Sequence, residues 1–163
     1  MTWHPGEFER PIVKAVRNQH HTVQAVARHM IGRRSGVVLT VTGGDREAVP
    51  MLGGTSVALA AIEAQYRQWA CELGPHGVRV AWIRTTGLPE TLPDTGAAVA
   101  DLGTGYGQGT TREQIVADMR DETMLGRLPT LAELGDAASF LASDRASAMT
   151  VTLANVTCGT FLD

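Results

Sequence analysis

The segment from Ser35 to Arg84 carries the clearest fold signal in the sequence, and it begins Ser35-Gly36-Val37-Val38-Leu39-Thr40-Val41. Val37 to Val41 is a short apolar run rich in β-branched residues, which is typical of a strand buried on both faces. From Thr55 to Leu73 the apolar residues recur at helical spacing instead, and Val78 to Ile83 is a second apolar run. A buried strand, an amphipathic helix and another buried strand predict a β-α-β unit with parallel strands and a right-handed crossover.

Length and composition limit what the protein can be. A chain of 163 residues forms one domain or part of a larger one. The net charge of −3 argues against a nucleic-acid partner. Met1 to Arg10 is too polar for a signal peptide, and no apolar run approaches the ~20 residues that span a bilayer. We therefore expect a soluble, cytoplasmic protein without a membrane partner, in which Cys71 and Cys158 are buried, reduced thiols.

Capping residues and periodicity predict the remaining elements. Pro11 is a good first helical residue, and Thr130-x-x-Glu133 has the spacing of a capping box. We expect Met1 to Arg10 to be irregular. The other predicted elements are a helix from Pro11 to about Ile31, a loop from Thr85 to about Thr110, a helix from Thr111 to about Met124, a helix from Thr130 to Ala142 or Ser143, and a strand within Met149 to Thr157.

Four segments together resemble the C-terminal half of the short-chain dehydrogenase/reductase family. They are Ala27-Arg28-His29-Met30, Gly36-Val37-Val38-Leu39-Thr40-Val41, Glu72-Leu73-Gly74-Pro75-His76-Gly77-Val78-Arg79-Val80 and Phe140-Leu141-Ala142-Ser143-Asp144-Arg145-Ala146-Ser147-Ala148-Met149-Thr150. The resemblance covers nearly the whole chain. It implies an α/β fold, a partial Rossmann-like, doubly wound parallel sheet of which the last three strands are present, forming a single truncated domain.

The dinucleotide-binding half of that family has no counterpart in this sequence. No Gly-x-x-x-Gly-x-Gly follows a strand near the N-terminus, and the glycines from Gly103 to Gly109 lie in a predicted loop without a preceding strand. We therefore expect no cofactor.

The residues that the resemblance implies for catalysis are also replaced. The family uses a Tyr-x-x-x-Lys pair, in which the lysine lowers the pKa of the tyrosine. Here the two positions fall at Thr55 and Leu59, while the family's serine position falls at Thr42 or Gly43 and its asparagine position near Ala15. Neither tyrosine of the chain is followed four residues later by a lysine, and Lys14 is the only lysine. Hydride transfer by the family's mechanism is not supported by the sequence.

Open α/β sheets place their pockets beyond the carboxyl ends of the strands, and polar side chains collect there in this sequence. Thr42 and Asp45 follow the first strand, Arg84 ends the second, and Thr55 begins the helix between them. Asp45 is a candidate general base, although a solvated loop is the alternative. Arg84 is a candidate to hold a carboxylate or enolate oxygen, and a structural ion pair with Glu90 or Asp94 is its alternative.

His20 and His21 complete the set of candidate catalytic residues. The resemblance places them on the helix that carries the family's asparagine, where a histidine could act as an acid or base. Exposed or merely packed histidines are the alternative. The histidines show no metal-ligand spacing with cysteines or carboxylates, so we expect no metal.

The strand Val37 to Val41 would have one open, apolar edge, which natural proteins do not leave uncovered. We expect a second copy or another chain to cover it. The resemblance also implies that the first two long helices form a dimer interface, for which Ala58, Ala61 and Ala64 offer a small face. A homodimer or tetramer, or a complex with a full-length relative, is the expected assembly.

Three functional hypotheses follow. The leading one is a non-redox protein that binds a small organic molecule and catalyses a cofactor-free isomerisation, dehydration or cyclisation. The second is an NAD(P)-dependent oxidoreductase that needs a partner chain to supply the dinucleotide-binding half. The third is a non-catalytic interaction subunit. A fragment of a longer protein is a further alternative, although Met1 fits a natural start.

Overall fold

The computed structural model describes residues 4–43, 53–92 and 110–161. Three strands form one sheet in the order β1-β2-β3, and both pairings are parallel. This arrangement confirms the predicted α/β fold with a parallel sheet. The helices and strands are α1 (Pro5–Arg33), β1 (Gly36–Gly43), α2 (Gly54–Leu73), β2 (Val78–Thr85), α3 (Arg112–Asp121), α4 (Leu131–Ala142) and β3 (Thr152–Val156).

The central strand β2 is buried at every residue except the half-buried Arg79, as its apolar sequence predicts. On one face of the sheet, Val38, Val80 and Trp82 pack against α1 and α2. The opposite face packs against α4 and is formed by a second cluster. That cluster contains Ala81, Ile83, Leu88, Leu134 and Leu141. The sheet is thus covered on both faces.

Helix α1 begins earlier than the sequence indicated. His4 caps it: the His4 Nδ1 accepts a hydrogen bond from the Gly6 amide at 3.3 Å, and Glu7 accepts one from the His4 amide at 3.4 Å. The expectation that Met1 to Arg10 is irregular is therefore wrong for Pro5–Arg10, and residues 1–3 lie outside the described part. Pro11, taken as the first helical residue, instead lies inside the helix.

Helices α1 and α2 run side by side in the same direction. A Cβ atom on Gly54 would overlap the carbonyl oxygen of Phe8, so only glycine permits this approach at the start of α2. Further along, the Gln65 Nε2 donates to the Val16 carbonyl at 3.2 Å, and the Tyr66 hydroxyl donates to the Gln19 Oε1 at 3.0 Å. Ala58 is buried in this packing, whereas Ala64 is exposed, so the three alanines do not share one outer face.

The capping box predicted at Thr130 is present in the C-terminal third, and Thr111 forms a second one that was not predicted. Thr111 caps α3 together with Gln114, and Thr130 caps α4 together with Glu133. Arg127 and the Thr130 amide lower the pKa of Glu133 to about 2. The last strand, β3, is shorter than the predicted Met149 to Thr157.

The fold corrects the expectation that both cysteines are buried. Cys71 is exposed and Cys158 is half-buried, so neither is the buried thiol we expected. Cys71 lies on the solvent side of α2, where the helical period turns it away from the sheet.

Within the described ranges, no helix has the length and apolarity needed to cross a bilayer.

Candidate functional site

The edge of the sheet where the carboxyl ends of the strands lie (the carboxyl edge) brings several predicted residues together. In the parallel register Thr42 pairs with Arg84, and Gly43 pairs with Thr85. Helix α2 starts beside this edge, and Leu59 in its second turn lies 3.5 Å from the place where a Cβ atom of Gly43 would stand. Thr42 and the half-buried Thr55 therefore flank the start of α2, as their spacing in the sequence predicts.

Two threonine hydroxyls at the carboxyl edge are buried without a hydrogen-bond partner. Thr42 is 2% exposed and Thr85 is 7% exposed, and the Oγ1 atom of each makes no hydrogen bond. Buried hydroxyls are normally satisfied, because an unpaired one costs about 1–3 kcal/mol. A water molecule or a ligand can supply the missing partner of such an atom. Thr85 was assigned no catalytic role from the sequence, although its place directly after Arg84, at the end of a buried strand, puts it at this edge.

Arg84 lies beneath α2, not at the rim of a pocket. It is 3% exposed, and its Nη2 lies 2.8 Å from the Oε1 of Glu63. The expected alternative partners were Glu90 and Asp94. Glu90 accepts a hydrogen bond from the Leu131 amide at 3.1 Å instead, and Asp94 lies outside the described residues. Glu63 is thus a partner of Arg84 that the sequence did not predict.

Glu63 is a residue that the sequence analysis missed. Its Oε2 also lies 3.3 Å from the Nη2 of Arg67, whose guanidinium stands 5.6 Å from the centre of the Trp82 ring. Glu63 follows Leu59 by one helical turn, so it shares a face of α2 with the residue that lies over Gly43. That i,i+4 spacing is the signal by which a carboxylate close to the site could have been found.

The two candidate histidines do not reach the carboxyl edge. His20 and His21 are exposed on α1, with their ring centres 5.9 Å apart. They adjoin Gln19, whose side chain accepts a hydrogen bond from the Tyr66 hydroxyl. Tyr66 lies in the fourth turn of α2, which is roughly 16 Å along the helix axis from Thr55 at 1.5 Å per residue. Asp45, the remaining candidate, lies outside the described residues.

Tyr66 does not replace the absent tyrosine at the start of α2. Its side chain is buried, and burial raises the pKa of its hydroxyl. The hydroxyl donates to Gln19 of α1 and lies beside Thr40 in the middle of β1, so it is not at the carboxyl edge. Among the residues that the structure describes, no group of three or more histidine, cysteine or acidic side chains could hold a metal ion.

Comparisons of the sequence with known proteins match it to a family of enzymes. A sequence profile described as "Enoyl-(Acyl carrier protein) reductase" matches residues 4–160. The chain is 29% identical over 140 residues to the sorbitol-6-phosphate 2-dehydrogenase of Klebsiella pneumoniae, covering 83% of this chain and 51% of that protein. It is 30% identical over 154 residues to the enoyl-[acyl-carrier-protein] reductase [NADH] FabI of Neisseria meningitidis serogroup B, covering 89% of this chain and 54% of that protein.

A solved structure gives the same result. The hydroxysteroid dehydrogenase of Escherichia coli superposes with a TM-score of 0.73 at 26% identity, over 96% of this chain and 59% of that one. The chain thus spans about half the length of the curated relatives it matches.

The comparisons overturn the leading functional hypothesis. The matched proteins are named as dehydrogenases and reductases, and one of them is named as NADH-dependent. The expectation of a cofactor-free isomerase, lyase or cyclase is therefore wrong. It rested on the absence of Tyr-x-x-x-Lys and of the glycine motif, and the loss of those residues is not evidence for a different reaction.

Proposed function

Because this chain belongs to the short-chain dehydrogenase/reductase family, we propose that it supplies the substrate-side half of an NAD(P)-dependent oxidoreductase. The observation that carries the proposal is the family match over residues 4–160, together with relatives named for redox reactions. The buried, unpartnered Thr42 hydroxyl at the carboxyl edge supports a substrate site there. Carbonyl compounds and enoyl thioesters are the substrate classes that the relatives' names indicate.

The residues of this chain do not form a whole dinucleotide site by themselves. The buried hydroxyls of Thr42 and Thr85 are polar groups that a ligand could satisfy. No glycine-rich turn between a first strand and a helix occurs in the sequence to cradle the pyrophosphate. The nucleotide must therefore be held mainly by residues outside this sequence.

The roles we assign to this chain concern binding and orientation. The Thr42 hydroxyl donates a hydrogen bond to the substrate oxygen, and this bond gives the buried Thr42 Oγ1 the partner that it otherwise lacks. Thr55, in the first turn of α2, offers a second hydroxyl beside it. Arg84 acts as a positioning residue, since its pair with Glu63 fixes α2 against the strand next to Thr42. The exposed cysteine Cys71 fits a reducing compartment, and we infer a cytoplasmic location.

Hydride transfer in a reconstituted mixture tests the proposal. The chain is mixed with the nucleotide-binding half of the Neisseria relative, and loss of NADH absorbance is followed with crotonyl-coenzyme A, acetoacetyl-coenzyme A or a sugar phosphate. We expect NADH consumption only when both polypeptides are present. Thr42→Val should lower kcat/KM about tenfold, the value of one neutral hydrogen bond, without lowering stability.

Thr40→Val is the matched control, because Thr40 lies one step back on the same face of β1, away from the edge. It should leave kcat/KM unchanged. Absence of NADH consumption with all three test substrates, or a Thr42→Val variant with full activity, would contradict the proposal.

A further inference from the structure

Helix α1 lies in the most basic part of the sequence. No aspartate or glutamate occurs between Glu9 and Asp45, whereas six of the 14 lysine and arginine residues lie there. The rest of the chain holds all 17 acidic residues and only eight of the basic ones. A chain with a net charge of −3 therefore concentrates its positive charge on a single helix and the turn that follows it.

Four of these basic residues form a row along α1, which we call the cationic row. All four are exposed, and they are Arg10, Lys14, Arg17 and Arg28. At 3.6 residues per turn they lie within about 60° of one another around the helix axis, and they span roughly 27 Å along it. His21 continues the same face between Arg17 and Arg28. The buried Val23 lies roughly 140° away, on the side that packs against β1 and α2.

The cationic row has no partner among the residues that the structure describes. None of its four side chains forms an ion pair or a hydrogen bond with a described residue. Elsewhere on the surface, exposed charges are paired, in the salt bridges Glu63–Arg67, Arg120–Asp121 and Arg127–Glu133. The uncompensated charge is thus a property of α1 and not of every helix in this fold.

The row works against the stability of its own helix. Lys14 follows Arg10 by four residues and precedes Arg17 by three, and like charges at these spacings destabilise a helix. The helix dipole does not offset the repulsion, because it favours cations in the last turn only, where Arg33 lies. A partner that brings negative charge to this face would relieve the repulsion.

The surroundings of the row favour an acidic helix over other anionic partners. A helix that binds a membrane inserts its apolar side, but the apolar side of α1 packs against α2 and β1. The acidic remainder of the chain would repel a nucleic acid. A second copy related by a twofold axis through this face would set two cationic rows against each other.

We propose that the cationic row of α1 is the docking surface for an acidic α-helix of a partner protein. Carboxylates at i, i+4 and i+7 on that helix repeat the axial steps of roughly 6 and 4.5 Å that separate Arg10, Lys14 and Arg17. Val13 is 48% exposed and lies between Arg10 and Arg17 on the helix surface, so it offers an apolar contact beside the charges. The charges select the partner and its register, and the surface does not depend on which reaction the chain supports.

Two synthetic peptides of identical composition test the proposal. Both are alanine-rich helices of about 20 residues with four glutamates each. In the matched peptide the glutamates repeat the spacing of the cationic row on one face, and in the scattered peptide they are spread around the helix. Each peptide is titrated into the isotope-labelled chain at low salt, and the amide chemical shifts are followed. The matched peptide should bind about tenfold more tightly, shift the amides of residues 10–28 and lose affinity as salt is added.

A charge reversal in the middle of the row shows whether the row itself binds. Arg17→Glu should weaken binding of the matched peptide about fivefold, because an attraction becomes a repulsion. Arg120→Glu is the matched control, since Arg120 is an exposed arginine of α3, and it should leave the affinity unchanged. Arg17→Glu should melt no lower than the wild type, because it relieves the repulsion within the row. Lost binding is then not lost folding.

Four outcomes would overturn the docking surface. One is no binding of the matched peptide, and another is equal affinity for the two peptides or equal sensitivity to the two substitutions. A third is tighter binding of phosphatidylserine vesicles or of a single-stranded oligonucleotide than of the matched peptide, which would assign the row to a different class of partner. The fourth is a homodimer in sedimentation velocity that Arg17→Glu dissociates, because a second copy would then cover the row.

Discussion

At the scale of single residues, the carboxyl edge contains a charge pair in a place where charge is costly. Arg84 and Glu63 have side chains only 4% and 12% exposed, and their attraction must offset the loss of hydration of both. Buried pairs of this kind often contribute little net stability but hold groups in one geometry. Here the pair joins α2 to the strand residue directly beside Thr42.

Glu63→Gln should lower the free energy of unfolding by about 2 kcal/mol, because a neutral amide replaces the carboxylate in the hydrogen bond from the buried Arg84 guanidinium. The double variant Glu63→Met with Arg84→Met should recover most of that loss. Arg67→Met is the control: its side chain is 54% exposed, so losing its pair should change stability by less than about 1 kcal/mol. Urea denaturation measures all four proteins. Equal losses in the single and double variants would show that charge burial is not the cause.

At the scale of helices and strands, most of the fold could be predicted from the sequence. The apolar runs predicted β1 and β2, and the threonines at 111 and 130 predicted where α3 and α4 begin, because those signals are local. The end of α3 was predicted three residues too late. The start of α1 could not be predicted, because histidine is not among the preferred N-cap residues and Pro11 lies inside the helix instead of in its first turn. The partner of Arg84 was missed because Glu90 is close in sequence, whereas Glu63 is brought near only by the packing of α2 on β2.

The candidate site was predictable only in part for the same reason. Thr42 near the end of β1 and Thr55 in the first turn of α2 lie on the two sides of one strand-to-helix connection, which their spacing in the sequence reveals. The family resemblance placed His20 and His21 on a helix that contributes to the family's site. Their position along that helix decides whether their side chains reach the carboxyl edge, and the resemblance does not fix it. Burial of the Thr42 and Thr85 hydroxyls without partners cannot be read from sequence at all, since it depends on every neighbour.

The close approach of α1 and α2 gives a prediction at the same scale. Gly54→Ala should cost about 3 kcal/mol, because its Cβ atom would overlap the backbone of Phe8 and a carbonyl cannot move aside as a side chain can. Gly135→Ala is the matched control in α4, where a Cβ atom meets nothing within 4 Å. That change should raise stability by up to about 1 kcal/mol through better helix propensity. Thermal melts of both variants provide the measurement, and a harmless Gly54→Ala would mean that the two helices are farther apart.

At the scale of the whole molecule, the three-stranded sheet is unequally supported. β2 has a strand on each side and is buried at nearly every residue, whereas β1 has a partner on one side only. Alternate amides of a parallel strand point to opposite neighbours, so half of the β1 amides have no strand to bond within the described part of the chain. Local stability should therefore be highest in β2 and should alternate along β1.

Hydrogen exchange of the isolated chain, read amide by amide, measures that alternation without any substitution. We expect protection throughout β2 and only at every second residue of β1, because an amide that faces solvent exchanges without an opening event. Full protection along β1 would mean that its outer edge is already paired.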